Sequence, residues 1–283
     1  MKALQRWLNW HLVSMVLIYW HLDEKGNSKG EPFIAACSGF VMTFGDMWFL
    51  VTAGHVLEKL DELIANRFVK VVDSFLVDSL GSQATHSNHI PFIYEATAEK
   101  RGYQHKDGLD YGLVALNSND RRLLQANGIV PVAVENWMSQ DVDRCKGFAL
   151  IGIPVDWVSH EQRGASDGLN VGTLLASVKR LHEPPEGAEE TRYERFIGEL
   201  TKPLDLPHGL EGTSGGPIVG FYDDDDGLLK YWIVAVQSSC LRNRYIFGCP
   251  IKLFGQHLYD GMREYVEMLK SPFVTCTWRS SGS

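Results

Sequence analysis

The feature that most restricts the fold of this chain is how soon each apolar segment is stopped by turn residues. Ser14–Leu22, Phe33–Thr43, Met47–Thr52, Val69–Val77, Phe92–Ala98 and Tyr111–Leu116 read as strands, with a turn over Asp23–Pro32 and a hairpin at Gly45-Asp46. In this group only Val56–Phe68, with Leu57, Leu60 and Ile64 at helical spacing, predicts a helix. Asn117 to Pro131 is polar and reads as a linker. A second group follows: Phe148–Pro154, Val171–Leu181, Arg192–Leu200, Pro217–Tyr222, Leu229–Val236 and Tyr245–Leu253. The acidic loop His182–Glu190 and the turn Asp223–Gly227 interrupt it, and Gln256–Leu269 predicts an amphipathic helix. Two successive groups of short strands predict an all-β chain of two antiparallel barrels or sandwiches.

Composition narrows the function. With 283 residues, 45% hydrophobic and 22% charged, the chain has enough sequence for a large core. A formal net charge of −8 gives no electrostatic footprint for a phosphate backbone, which argues against nucleic acid as a partner. No apolar run approaches the length of a transmembrane segment. The five cysteines, Cys37, Cys145, Cys240, Cys249 and Cys276, are scattered without a C-x-x-C pair, so neither a zinc framework nor a disulfide scaffold is indicated. Spacing leaves open whether Cys240 and Cys249 pair. Lys2 and Arg6 precede an apolar stretch, but no small-residue cleavage site follows it. Reduced thiols and an uncleaved start point to the cytoplasm.

The residues that speak of chemistry are few. Gly212-Thr213-Ser214-Gly215-Gly216-Pro217 has a chance frequency on the order of 10⁻⁴ to 10⁻³ at average residue usage. A nucleophilic serine needs an uncrowded turn, which glycines provide. The N–H groups of Gly212 and Ser214 can form an oxyanion hole. Serine also needs a base, and His55 ends the apolar strand Phe49–Thr52 among small residues. His86, His89 and His105 lie in polar stretches and read as solvated. The base needs an acid to orient it. Asp110 directly precedes the apolar run Tyr111–Leu116 and is preferred to Asp107, which has no such strand attached. The Asp223–Asp226 run reads as a solvated hairpin turn, because Tyr222 and Ile233 stand where a calcium loop would need acids.

These motifs resemble those of the trypsin-like, chymotrypsin-fold serine peptidases, and more closely their bacterial and HtrA-like branches. Thr52-Ala53-Gly54-His55, Asp110-Tyr111-Gly112-Leu113-Val114 and Gly212–Pro217 match the family's motifs, in its order His, Asp, Ser. The resemblance implies two six-stranded antiparallel barrels. Residues 1–13 would be a helical extension, 14–118 the first barrel with His55 and Asp110, and 119–135 a linker. Residues 136–253 would form the second barrel with Ser214, and 254–283 a C-terminal helix and tail, with no PDZ-like segment. It implies a catalytic triad of His55, Asp110 and Ser214 hydrolysing a peptide or protein substrate through an acyl-enzyme, without metal or cofactor. It also places His208 at the base of the S1 pocket, Gln237, Ser238 and Ser239 on a substrate-pairing edge strand, and Phe247 and Gly248 on the opposite wall. Val56 and Thr213 depart from the secreted members, removing a disulfide and the zymogen switch. Constitutive activity, or control by a regulatory protein partner or loop ordering, is then expected. The alternative is a silent pseudo-peptidase that binds peptides or acts as a scaffold.

Overall fold

A computed structural model describes residues 8–78, 89–138, 141–163, 166–256 and 258–259. Most of the predicted N-terminal helical extension and of the predicted C-terminal helix lies outside the described residues. Residues 251–256 and 258–259 are helical.

In the N-terminal half, β1 (Val13–Leu22) turns at Asp23 into β2 (Ser28–Cys37). The Asp23 carboxylate makes this turn by accepting from the N–H groups of Lys25 and Asn27, at 2.9 and 2.8 Å. The sequence reads Phe33–Thr43 as one strand, but the chain breaks at Ser38-Gly39 and passes to a different sheet as β3 (Phe40–Phe44). Ser38 is drawn away by contacts with the other half of the molecule, described below. The β3 strand pairs with β4 (Met47–Thr52) across Gly45-Asp46, as the sequence predicts. Helix α1 (Gly54–Ala65) follows, then β5 (Val69–Asp78) and β6 (His89–Pro91).

Phe92–Ala98 is not a strand; Tyr94–Lys100 is a 3₁₀ helix. The Thr97 hydroxyl donates to the Tyr94 carbonyl at 2.7 Å, a local bond that competes with a sheet ladder. β7 (Arg101–Lys106) and β8 (Leu109–Ala115) close this half. Its strands form two four-stranded sheets, β2-β1-β5-β6 and β3-β4-β8-β7, that meet at a bridge between Leu12 and Phe40. Among the described residues they do not close into the six-stranded barrel expected here.

The polar stretch read as a linker contains α2 (Ser118–Ala126). Asn117 caps it by accepting from the N–H groups of Asn119 and Asp120, while Asp120 accepts from the N–H of Asn117. Leu124 buries the helix against the N-terminal half.

The C-terminal half is a closed six-stranded barrel, as expected. It comprises β9 (Gly147–Gly152), β12 (Leu174–Leu181), β13 (Phe196–Leu200), β14 (Pro217–Asp223), β15 (Leu229–Leu241) and β16 (Tyr245–Pro250), in the order β12-β13-β16-β15-β14-β9. A hairpin of β10 (Val158–Arg163) and β11 (Ser166–Val171) stands outside it. The run Tyr231–Val236 is buried throughout because β15 serves two cores. Trp232 and Val234 pack with Leu150, Val178 and Ile246, whereas Tyr231, Ile233 and Val236 join the core of the N-terminal half. The Tyr231 hydroxyl also lies 2.6 Å from Nε2 of buried His11. Cys37, Cys145, Cys240 and Cys249 are all free thiols, so Cys240 and Cys249 do not pair. No helix among the described residues is long and apolar enough to cross a membrane.

Candidate active site

The site begins with a helix that lacks a cap of its own. Ala53 occupies the N-cap of α1 and offers no side-chain acceptor. The carboxylate of Asp110, from β8, takes that place: Oδ1 accepts from the backbone N–H of His55 at 2.9 Å. Its other oxygen, Oδ2, is 2.7 Å from Nδ1 of the same residue. One buried carboxylate therefore fixes both the main chain and the ring of His55. Because an ionised carboxylate only accepts, the proton sits on Nδ1 and the lone pair on Nε2. The approach is close because residue 54 is glycine. A Cβ there would lie 2.0 Å from the Gln104 carbonyl oxygen and 2.9 Å from that of Tyr111.

The serine turn comes from the other half. Gly212 and Gly215 hold φ values of 86° and 91°, which side chains rarely tolerate. The turn is tied to β15 by two bonds, Gly215 N–H to the Gln237 carbonyl at 2.8 Å and Gln237 N–H to the Gly216 carbonyl at 2.9 Å. Thr213 is fully buried, and its hydroxyl donates to the Leu210 carbonyl at 2.7 Å. Among the described residues the N–H groups of Gly212 and Ser214 have no acceptor, although those of Thr213, Gly215 and Gly216 do. Ser38 reaches across from the N-terminal half: its N–H and hydroxyl donate to the Gly212 carbonyl at 3.1 and 2.8 Å. The same hydroxyl accepts from the N–H of Ile153 at 2.7 Å.

His55, Gly212 and Ser214 line one cleft of about 340 Å³, together with Tyr19, Cys37, Lys59 and Glu211. The Ser214 hydroxyl donates to the Ser238 carbonyl at 3.4 Å, and no hydrogen bond joins it to His55 among the described residues. Asp107 sits in a tight turn with φ 56°. Asp110, not Asp107, bonds to His55.

None of the six residues expected to bind substrate lines this cleft. His208 is exposed and pairs through its ring Nδ1 and its backbone N–H with the carboxylate of Asp156. Gln237, Ser238, Phe247 and Gly248 are buried, and the Ser238 hydroxyl donates to the Phe247 carbonyl at 3.1 Å. Ser239 is exposed on β15. The sequence reading did not single out Ser38, Lys59 or Glu211, and it gave His105 as solvated, which its exposure bears out, without its pairing to Glu58. The signal for His105 is the Asp107-Gly108 pair between two strand-like runs, a strong hairpin cue.

No family model matches the chain, and no curated protein matches it. Among solved structures it is similar to the thermostable serine protease AL20 from an extremophilic microorganism. That likeness has 13% identity and a TM-score of 0.44, over 88% of this chain and 95% of the other. It is also similar to the protease Anisep from Arthrobacter nicotinovorans, with 15% identity and a TM-score of 0.42, over 85% of this chain and 89% of the other.

Proposed function

We propose that the protein is a serine endopeptidase of the trypsin-like kind. The observation that carries this reading is the Asp110–His55 pair, held at 2.7 Å, in one cleft with Ser214 and the unshared N–H of Gly212. Ser214 attacks the scissile carbonyl while His55 Nε2 takes its proton and later delivers it to the leaving amine. Asp110 keeps the ring in the required tautomer and stabilises the imidazolium. The N–H groups of Gly212 and Ser214 receive the oxyanion. For this the Ser214 hydroxyl leaves the Ser238 carbonyl and bonds to Nε2 of His55.

The resting bond of Ser214 to Ser238 favours a second reading, a silent module that holds peptides in the same cleft. Labelling with a fluorophosphonate probe separates the two. The endopeptidase reading expects labelling that Ser214→Ala abolishes, with turnover of a cleaved peptide falling by about 10⁶-fold. Labelling that persists in Ser214→Ala, or is absent with and without candidate activators, overturns it.

A further inference from the structure

We propose that His55 and His105 form a site for a divalent transition-metal ion of the Zn²⁺ class, which on binding withdraws His55 from use as a base. The binding half of this proposal stands alone; the inhibitory half rests on the hydrolase reading above.

The site follows from the hairpin that carries Asp110. Asp107 and Gly108 have φ values of 56° and 94°, the two positive angles that a two-residue type I′ turn requires. That turn sets Lys106 opposite Leu109 and His105 opposite Asp110. Directly opposed residues of an antiparallel pair lie on the same face. β7 therefore carries a second imidazole to the face on which Asp110 grips His55. The two rings lie 5.4 Å apart between centroids, tilted by 52°. One ligand atom from each of His55, His105 and Asp110 lies within 4.8 Å of the other two.

The charge arrangement behind the rings is what makes this a donor set. Glu58, one turn along α1 from His55, places Oε2 2.8 Å from Nδ1 of His105. Asp110 stands in the same relation to Nδ1 of His55, at 2.7 Å. Each carboxylate holds a proton at Nδ1 and leaves Nε2 as a lone-pair donor. Imidazole nitrogens backed by carboxylates suit Zn²⁺ and its neighbours, the carboxylates fixing the orientation of the rings. The side chains of His55 and His105 are 14% and 45% exposed, so an ion can enter from solvent. Two imidazoles leave further coordination positions to water, as in reversible rather than structural sites. A metal on Nε2 occupies the lone pair that would otherwise take the Ser214 proton.

The test uses the full chain, stripped by a chelator and dialysed. Zn²⁺ is titrated by calorimetry, Co²⁺ by visible absorption, and fluorophosphonate labelling is compared with and without saturating Zn²⁺. We expect saturable Zn²⁺ binding and a Co²⁺ band, both lost in His105→Gln, and binding weakened about 10- to 100-fold in Glu58→Gln. Labelling of the wild type should fall at least about tenfold with Zn²⁺, whereas in His105→Gln it should be the same with and without the ion. Absence of saturable binding, or binding unchanged in His105→Gln, overturns the site. Binding that depends on His105 but leaves labelling untouched overturns the inhibition. A wild type that never labels even without metal overturns the hydrolase reading and the inhibition built on it, while calorimetry still decides the site.

Discussion

Ser38 holds the carbonyl of Gly212 through two donors, its N–H at 3.1 Å and its hydroxyl at 2.8 Å, across the boundary between the two halves. The hydroxyl is simultaneously the acceptor for Ile153 N–H. Ser38→Ala removes one donor to Gly212 and strands a buried amide. We expect a loss of about 1–3 kcal/mol in denaturant unfolding, with slower fluorophosphonate labelling. Unchanged stability and labelling would mean that Ser38 does not set the turn.

Asp110→Asn tests the acid separately from the fold. The amide oxygen can still accept from the His55 N–H that opens α1, so the protein should unfold at nearly the same denaturant concentration. The amide nitrogen would favour the other ring tautomer. On the proposed endopeptidase reading, turnover of a cleaved peptide should fall about 10⁴-fold.

Burial pushes the thiols of Cys37 and Cys249 up to about 12, and that of Cys145 to about 11. Thiolate is the reactive form. At pH 8 iodoacetamide should therefore leave Cys37 and Cys249 unmodified in the folded chain, although Cys37 borders the cleft, and modify both once denaturant is added. Peptide mass mapping reads the result directly.

The hydrogen bond to Asp156, and then its charge, raise the titration midpoint of His208 above the ordinary value. Asp156 is correspondingly lowered by His208. The histidine's contribution to stability is full below its unfolded midpoint and is lost as pH rises through the raised one. The aspartate's contribution is full above the ordinary carboxylate range and is lost as pH falls through the depressed value. The pair thus acts from mildly acidic to near-neutral pH. In a proton NMR titration, Asp156→Asn should move the His208 midpoint down towards about 6.5; an unmoved midpoint would refute the pairing.

Much of this was legible in the sequence because strand ends and turn residues are local signals. Gly45-Asp46 gave its hairpin, and the second strand group gave a closed barrel. The Asp110–His55 pair followed from a polar residue placed directly before an apolar strand. What escaped was non-local or masked by composition. Ser38 looks like any serine inside Phe33–Thr43, and only its partners Ile153 and Gly212, far along the chain, explain the break there. The α2 segment is rich in Asn, Asp and Arg, so its capping box was hidden within an apparent linker. His105 is exposed, as its polar stretch suggests, and only its pairing with Glu58, on another element, escapes the sequence. His208, which the resemblance places at the base of a pocket, is exposed and pairs with Asp156, a partner far away in sequence.

Strand β15 belongs to two interiors at once, turning Trp232 and Val234 into one and Tyr231 and Ile233 into the other. Neither interior is complete without it. A nick in the α2 region would therefore yield fragments that stay associated, and a fragment ending before β15 would lack a wall of its own core. Both halves therefore lean on the same plank, and losing it would open each of them.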